Sequence, residues 1–277
     1  MTACKGKRSA RLVCALLFSL PLPVLAETVW IGGSGVASSM AQLLAGAFEQ
    51  RFPQHKVIVN PPLGAAGGYQ ALNAGALDIA VTDQAPSAAE DKGRLHVVEF
   101  ARTPFVLAVA ADHPLTDVNM TQLAALYASP GALWPNGARV RLVLRASGHS
   151  DSRMIDALDG EVAQAHQAAQ ARTGMLIAVD DHQAARAIAR LPGAVGPTTL
   201  AQIAAAKLAL KGLALGGKRP SVDGIRDGSY PYYQRLFLVT SPLSTPAARQ
   251  FAEFALSGEG ARILAAHACW TGPFQSR

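Results

Sequence analysis

The chain has 277 residues, with 25 Lys and Arg against 19 Asp and Glu and a formal net charge of +6. Aromatic residues make up only 6% and no block of Lys or Arg occurs, so the composition argues against nucleic-acid binding. The length is sufficient for one large core or two smaller ones.

The first 26 residues have the pattern of a secretion signal. Four basic residues, and no acidic one, precede an apolar run over residues 12–26: Lys5, Lys7, Arg8 and Arg11. Val24 and Ala26 match the small-residue cleavage pattern, which predicts a cut after Ala26 and export. The alternatives are a membrane anchor, for which the run is short and carries two prolines, and lipid attachment at Cys14.

Loss of this segment changes both the charge and the cysteine count. Removing its four basic residues leaves 21 basic against 19 acidic residues, a net charge of +2. Cys4 and Cys14 leave with it, so Cys269 has no partner for a disulfide and is predicted to be a buried free thiol. An exported chain of this kind is held together by burial of its core.

In the first part of the chain, short β-branched runs alternate with Ala- and Leu-rich helical patterns. The predicted strands are 28–31, 56–60, 77–82, 96–101 and 103–110, and the predicted helices are 38–52 and 68–75. This βαβαβ order predicts a mostly parallel sheet that is buried on both faces.

Alanine-rich helices and single strands follow. The predicted helices are 119–128, 161–172, 180–191 and 245–266, the predicted strands are 140–145 and 234–240, and residues 193–196 form a short strand or a turn. Thr245 is a good N-cap because Pro246 follows it at the first helical position.

The alternation predicts an α/β protein of two lobes joined by two hinge strands. TPFVLAV leaves the first lobe and QRLFLVT returns to it, side by side. The predicted division is signal peptide 1–26, first lobe 27–103 with a return segment 232–277, and second lobe 104–231. A single doubly wound sheet is the alternative.

Three glycine- or serine-rich loops occupy equivalent positions, after a strand and before a helix. They are GGSGVASS, LGAAGGYQAL and RASGHSDSR. The amides of a helix N-terminus attract anions, and glycine lets a ligand approach them closely. Because ligand crevices of open α/β sheets lie at the carboxyl ends of strands, the three loops predict an anion cradle. Ordinary βα turns are the alternative for any one loop.

Other site patterns are missing or incomplete. The dinucleotide pattern GxGxxG and the phosphate-cradling GxxxxGK[ST] are absent, and the hydrolase elbow GxSxG fails at Val36. His149 and Asp151 flank Ser150, but adjacent residues rarely face one another, so a solvated loop histidine is expected. The other histidines lack metal-ligand spacing, and neither a metal nor a cofactor is predicted.

Taken together, these segments resemble the substrate-binding proteins of phosphate-type ABC transporters, within the type II periplasmic binding proteins. The resemblance runs through GSGV, MAQLLAGAFEQRFPQHKVIV, GAAGGYQALNAGALDIAVTDQAPS, ARTPFVLAVAADHPLT and GAVGPTTLAQI in order, and on to YPYYQRLFLVT. It implies two α/β lobes that close on an oxyanion.

The resemblance also implies ligand-binding positions, carried over one at a time. They are Ser34, Gly35, Val36, Ala65, Gly67, Asp83, Arg145, Ser150 and Ser152. Val36 and Ala65 stand where relatives have hydroxyl residues, so the pocket offers fewer donors. The family's Ser-Gly-Thr after the arginine is approximated by Ser150 and Ser152.

The chemistry of two of these positions is coherent by itself. Arg145 offers a planar fork for bidentate contact with an oxyanion. Asp83 can accept from the O–H of protonated phosphate, whereas sulfate at neutral pH has no proton to donate. The alternatives are that Asp83 caps a loop and that Arg145 pairs with an acid such as Asp151.

The sequence therefore predicts a monomeric periplasmic protein, not an enzyme, that captures a small oxyanion, phosphate first, and delivers it to an inner-membrane ABC permease. A sensory or accessory role not coupled to transport is the first alternative. A phosphoester hydrolase using Ser34 or Ser150 is the second.

Overall fold

The computed structural model of this protein describes residues 1–2 and 27–274. The predicted signal segment therefore lies outside the described residues, apart from its first two positions. Within the described part, no helix is both long and apolar enough to cross a bilayer.

The first part of the chain builds three parallel strands with helices between them. The elements are β1 (Thr28–Gly33), α1 (Gly35–Arg51), β2 (Lys56–Val59), α2 (Gly64–Asn73), β3 (Ile79–Thr82) and α3 (Ala88–Asp91). β1 lies between β2 and β3 and pairs with both in parallel. Helix α1 begins three residues before the prediction, since Ser34 already has the extended backbone of an N-cap.

One long strand replaces the two that were predicted after α3. β4 (His96–Ala110) runs without a break through Pro104. Its first half pairs antiparallel with β11 (Tyr233–Thr240), and its second half pairs antiparallel with β8 (Ala194–Thr199). The prediction that TPFVLAV and QRLFLVT lie side by side is therefore wrong except at one pair. QRLFLVT lies beside residues 96–103 and meets TPFVLAV only where Gln234 pairs with Thr103, whereas Phe105–Ala108 pair with β8.

The middle of the chain forms the second α/β unit. Its elements are β5 (Asp117–Val118), α4 (Met120–Ala128), β6 (Arg141–Arg145), α5 (Ser150–Asp156), α6 (Gly160–Gln170), β7 (Leu176–Ala178), α7 (Asp181–Arg190), β8, α8 (Leu200–Ala205), β9 (Leu210–Gly212), β10 (Ala214–Leu215) and α9 (Val222–Asp227). After β11, the helices α10 (Pro246–Leu256) and α11 (Gly258–Ala265) return to the first unit.

The main sheet is continuous, in the order β2-β1-β3-β11-β4-β8-β6-β7, with β9 also on β4. Its strands are parallel on the two flanks and antiparallel wherever β4 or β11 takes part. The prediction of a mostly parallel sheet is therefore wrong for the centre of the sheet. β4 runs from lobe 1 into lobe 2, and β11 returns to lobe 1 beside it in the opposite direction.

The hydrophobic core is divided although the sheet is not. One cluster packs α1, α10 and α11 against β1, β3 and β11, and it ends on β4 at Ala101. Two others begin on β4 at Phe105 and Val106 and pack the elements from α4 to β10. The protein therefore has the predicted two-lobed α/β fold. We call the part around β1–β3 and β11 lobe 1 and the part around β6–β8 lobe 2.

Candidate functional site

The turn from β1 into α1 depends on glycine. Gly33 has φ +151°, and a Cβ there would lie 1.8 Å from the carbonyl oxygen of Val81 on β3. The Ser34 N–H donates to that same oxygen at 2.9 Å. This close packing of two strand ends leaves the first amides of α1 facing lobe 2.

Arg145, the last residue of β6, is 1% exposed. Its Nη1 donates to the carbonyl oxygen of Ala178 at 3.0 Å, and its Nη2 donates to Asp181 Oδ1 at 3.1 Å and to His149 Nε2. Its Nε lies 3.4 Å from Asp151 Oδ2 but has no hydrogen-bond partner among the described residues. The alternative that Arg145 pairs with Asp151 is therefore confirmed, and a second carboxylate shares the guanidinium.

Asp181 joins the two lobes at this point. Its Oδ1 accepts from Arg145 of lobe 2, and its Oδ2 accepts the Val36 N–H of lobe 1 at 3.0 Å. A Cβ on Gly35 would lie 2.3 Å from Oδ2, so the bare backbone of this turn makes room for that carboxylate. A carboxylate of the protein itself thus holds the contacts that the sequence assigned to an oxyanion.

Sequence reasoning missed Asp181, although a signal was present. Asp180 and Asp181 are consecutive at the start of α7. The Asp180 side chain is the N-cap and accepts from Gln183 N at 2.7 Å. Because one aspartate is enough to cap a helix, the second is left for another role.

Asp151 is the second buried carboxylate of the cluster, at 2% exposure. Its Oδ1 accepts from Gln234 Nε2 of β11 at 2.6 Å, which is another contact between the lobes. Burial, reinforced by the charge of Asp181, raises the pKa of Asp151 well above its usual range, although Arg145 opposes the shift. Burial and the charge of Arg145 lower the pKa of His149, so a neutral imidazole accepts from the guanidinium.

The histidine is not the solvated loop residue that was expected. The His149 side chain is 26% exposed and is the N-cap of α5, against Arg145. Ser150 lies 3.5 Å from its Nδ1, and the Ser150 hydroxyl donates to the Asp83 carboxylate of lobe 1. The other imidazole nitrogen accepts from the Arg145 guanidinium, and the nearest carboxylate oxygen, Asp181 Oδ1, is 3.9 Å away, beyond hydrogen-bond distance. These residues therefore do not form a nucleophile–base–acid relay.

The remaining predicted positions divide into two groups. Ser34 is buried at the cap of α1, and its Oγ has no hydrogen-bond partner among the described residues. Ser152 faces its own loop instead of the cluster, with Oγ 3.0 Å from the Ala146 carbonyl oxygen. Ala65 packs beside Tyr69 in the core under α2, and Gly67 lies against Leu63.

The structure therefore brings Ser34, Gly35, Val36, Asp83, Arg145 and Ser150 to one region between the lobes. The contacts described for Ala65, Gly67 and Ser152 belong to the packing of their own segments. Tyr69 is 1% exposed, and its hydroxyl forms a hydrogen bond with Thr82 Oγ1 at 2.6 Å. Tyr69 is therefore a core residue.

Three of the clustered side chains have the residue types of a metal site. Ligand atoms of His149, Asp151 and Asp181 all lie within 4.8 Å of one another. The guanidinium of Arg145 contacts all three, however, and its charge opposes a metal cation at the same position. The donor set fits an anion beside Arg145 better than it fits a metal.

Comparisons with known proteins identify the fold. The chain matches two solved phosphate transport proteins at 18% identity over 88% of its length. One is "a putative phosphate ABC transporter substrate-binding protein with bound phosphate" from Clostridium perfringens, with 99% of that chain covered and a TM-score of 0.74. The other is an ABC-type phosphate transport receptor from Vibrio cholerae, with 100% covered and a TM-score of 0.62.

A third similar structure has a different function. It is the CcmR regulatory domain of Synechocystis PCC6803 in complex with 2-PG, at 14% identity, with 82% of this chain and 95% of that chain covered and a TM-score of 0.55. A search of curated protein sequences gives no match. The model of the PBP superfamily domain matches residues 24–259, most of the chain. The protein is therefore a member of the PBP superfamily.

Proposed function

We propose that this protein is an exported solute-binding protein that captures a small oxyanion, inorganic phosphate first, between its lobes and delivers it to an ABC permease of the inner membrane. The observation that carries the proposal is the Asp181 carboxylate. One of its oxygens is bound by Arg145 in lobe 2 and the other by the Val36 amide in lobe 1. Donors from both lobes that bind the two oxygens of one carboxylate also suit the oxygens of a phosphate.

Binding would then be an exchange. The incoming oxyanion takes the contacts of Asp181 with Arg145 and Val36, and the carboxylate turns out of the site. An internal carboxylate competes with every ligand, so affinity is lower than the same donors would give if they were free. The missing hydroxyl at Val36 acts in the same direction.

Protons on the ligand provide the selectivity. Asp83 lies beside the site, where its carboxylate accepts from Ser150. A monoprotonated or diprotonated phosphate offers an O–H to such an acceptor. Sulfate has no proton, so one of its oxygens would face the Asp83 carboxylate oxygen without a hydrogen bond. Because the raised pKa of the buried Asp151 favours its neutral form, this residue adds little negative charge beside a bound anion.

The transport role and a monomeric state rest on the resemblance to the phosphate transport proteins, and export rests on the signal pattern of residues 1–26. Binding needs no chemical step, and the arrangement around Ser150 lacks a base oriented by a carboxylate. A phosphoester hydrolase is therefore the weaker alternative, and a sensory role remains open to the same binding event.

Calorimetry with phosphate, sulfate, molybdate and methylphosphonate on the protein lacking residues 1–26 tests the proposal. We expect one phosphate per chain, sulfate at least tenfold weaker, and loss of binding in Arg145→Lys but not in Arg153→Lys, which changes an exposed arginine of α5. If no oxyanion binds to the wild type or to Asp181→Ala, the proposal is wrong. Turnover of p-nitrophenyl phosphate would favour the hydrolase.

A further inference from the structure

A groove of about 740 Å³ lies between the lobes, separate from the Arg145 cluster. One wall consists of α1 and the loop after β2 in lobe 1, and the other consists of α7 and α8 in lobe 2. Its volume is within the range of about 300–1,000 Å³ that is typical of small-molecule sites.

The charge of this groove is unbalanced. Arg186 and Arg190 line it one helical turn apart on α7, and both are exposed. Neither has a carboxylate within 4.0 Å in the part of the chain that the structure describes, and the groove lining includes neither Asp nor Glu. Two like charges at this spacing destabilise a helix slightly, so an anion beside them is favoured.

One residue that lines this groove has a buried hydroxyl without a partner. Ser38 is 4% exposed, and its Oγ has no hydrogen-bond partner among residues 27–274. A buried polar group in this state is unfavourable unless something bonds to it. A ligand with a polar atom within reach of the Ser38 hydroxyl is therefore favoured.

Hydrogen bonds join the two walls of the groove at Ser39, Gln202 and His182. The Ser39 hydroxyl of lobe 1 donates to Gln202 Oε1 of lobe 2 at 2.8 Å. The Gln202 Nε2 lies 3.0 Å from His182 Nδ1. His182, which lines the groove, follows Asp181 of the Arg145 cluster in α7, so the two regions are neighbours on the same helix.

Apart from Gln42 and Asn60, the rest of the lining is apolar. Leu43, Val59, Ala205 and Leu208 contribute side chains from both lobes. The combination of an apolar wall, two free guanidinium groups and a buried hydroxyl suits an organic molecule with an anionic head. Inorganic phosphate has no apolar part to occupy the groove.

We propose that this groove is a second ligand site, which binds an organic anion with a phosphate or carboxylate head held by Arg186 and Arg190 and an apolar body against α1 and α8. A ligand in this position contacts both lobes, so it stabilises their closed arrangement. The proposal does not depend on which oxyanion, if any, binds at Arg145.

The experiment is a calorimetric titration with phenyl phosphate, benzoate and the neutral benzyl alcohol. We expect the two anions to bind and the alcohol to bind at least tenfold more weakly. The variant Arg186→Ala/Arg190→Ala should lose at least tenfold in affinity for both anions. Ala189→Phe, which fills the groove without a change of charge, should lose binding too.

The matched control is Arg249→Ala/Arg262→Ala, which removes two exposed arginines from α10 and α11 and should leave affinity unchanged. An equal loss in this control would show a nonspecific charge effect and overturn the proposal. Loss in Arg145→Lys alone would place the probes at the Arg145 cluster and also overturn it, as would absence of binding at millimolar concentration.

Discussion

Two cationic regions lie between the lobes, and they differ in how their charge is balanced. Arg145 is 1% exposed and contacts the carboxylates of Asp151 and Asp181. Arg186 and Arg190 are exposed, without an acid beside them in the described part of the chain. The same helix, α7, contributes Asp181 to the first region and both arginines to the second.

This difference separates two ways of recognising an anion. At Arg145 a ligand has to replace an internal carboxylate, so the free energy of binding is a difference between two similar sets of contacts. In the groove a ligand adds contacts where none exist. The buried site therefore favours discrimination between oxyanions, and the open groove favours a gain in affinity.

The largest effect is expected from Arg145→Ala. This substitution removes the guanidinium that the proposed oxyanion would bind, so we expect loss of anion binding. Because the buried Asp181 would be left without its cation, we also expect a loss of about 3–5 kcal/mol in the free energy of unfolding. Urea denaturation at pH 7 measures it, with the exposed Arg153→Ala as the control. A loss below about 1 kcal/mol would show that the ion pairs contribute little.

Gly35→Ala tests the close approach of Asp181. The new methyl group would lie 2.3 Å from Asp181 Oδ2, so we expect a destabilisation of about 1–3 kcal/mol from overpacking. In an Asp181→Ala background the cost should shrink, which a double-mutant cycle measures. Gly46→Ala on the exposed side of α1 is the control and should stabilise by about 0.5–1 kcal/mol, since its Cβ meets no atom within 4 Å.

Asp151 makes the stability of the folded protein decrease as the pH rises. Its raised pKa means that the folded protein binds this proton more tightly than the unfolded chain does. The stabilisation that comes from this proton is complete below about pH 3.8, the pKa of the carboxyl group in the unfolded chain. It is lost as the pH rises through the raised pKa of the folded protein. Asp151→Asn stays neutral, so its Tm relative to wild type should be higher at pH 8 than at pH 5.

Thermal unfolding across that range measures the Asp151 effect, with the exposed Asp112→Asn as the comparison. A difference in Tm between Asp151→Asn and wild type that stays constant with pH would show that Asp151 is ionised throughout.

Ser152→Ala should have the smallest effect. The Ser152 hydroxyl contacts the Ala146 carbonyl oxygen and accepts from Gln170 Nε2 at 3.0 Å, away from Asp181. We expect a loss of about 1 kcal/mol in stability and no change in phosphate affinity. A clear fall in affinity would restore Ser152 to the binding site.

The fold was largely predictable because its signals are local. Apolar runs identified the strands β1–β3, β4 and β11, and Thr245 with Pro246 located the start of α10. Short elements such as β7 and α9 were missed, since three to six residues carry too little periodicity. The antiparallel centre of the sheet depends on a return from the other lobe, which no local pattern encodes.

The site was predictable only in part, for a similar reason. Arg145, Asp83 and the turn at Ser34 follow strands, and the carboxyl ends of strands meet between the lobes. Asp181 also follows a strand, but β7 has only three residues and was not predicted, and the contact of Asp181 with Val36 spans 145 positions. The pairing of Gln234 with Asp151 likewise depends on how the lobes close, which sequence spacing does not contain.

The central claim is that the Asp181 carboxylate holds the position of an oxyanion. It is tested most directly by titrating phosphate into Asp181→Ala and wild type side by side, with Asp112→Ala as a control for the loss of one negative charge. The account predicts at least tenfold tighter binding in Asp181→Ala and no change in the control. Equal or weaker binding in Asp181→Ala would contradict it.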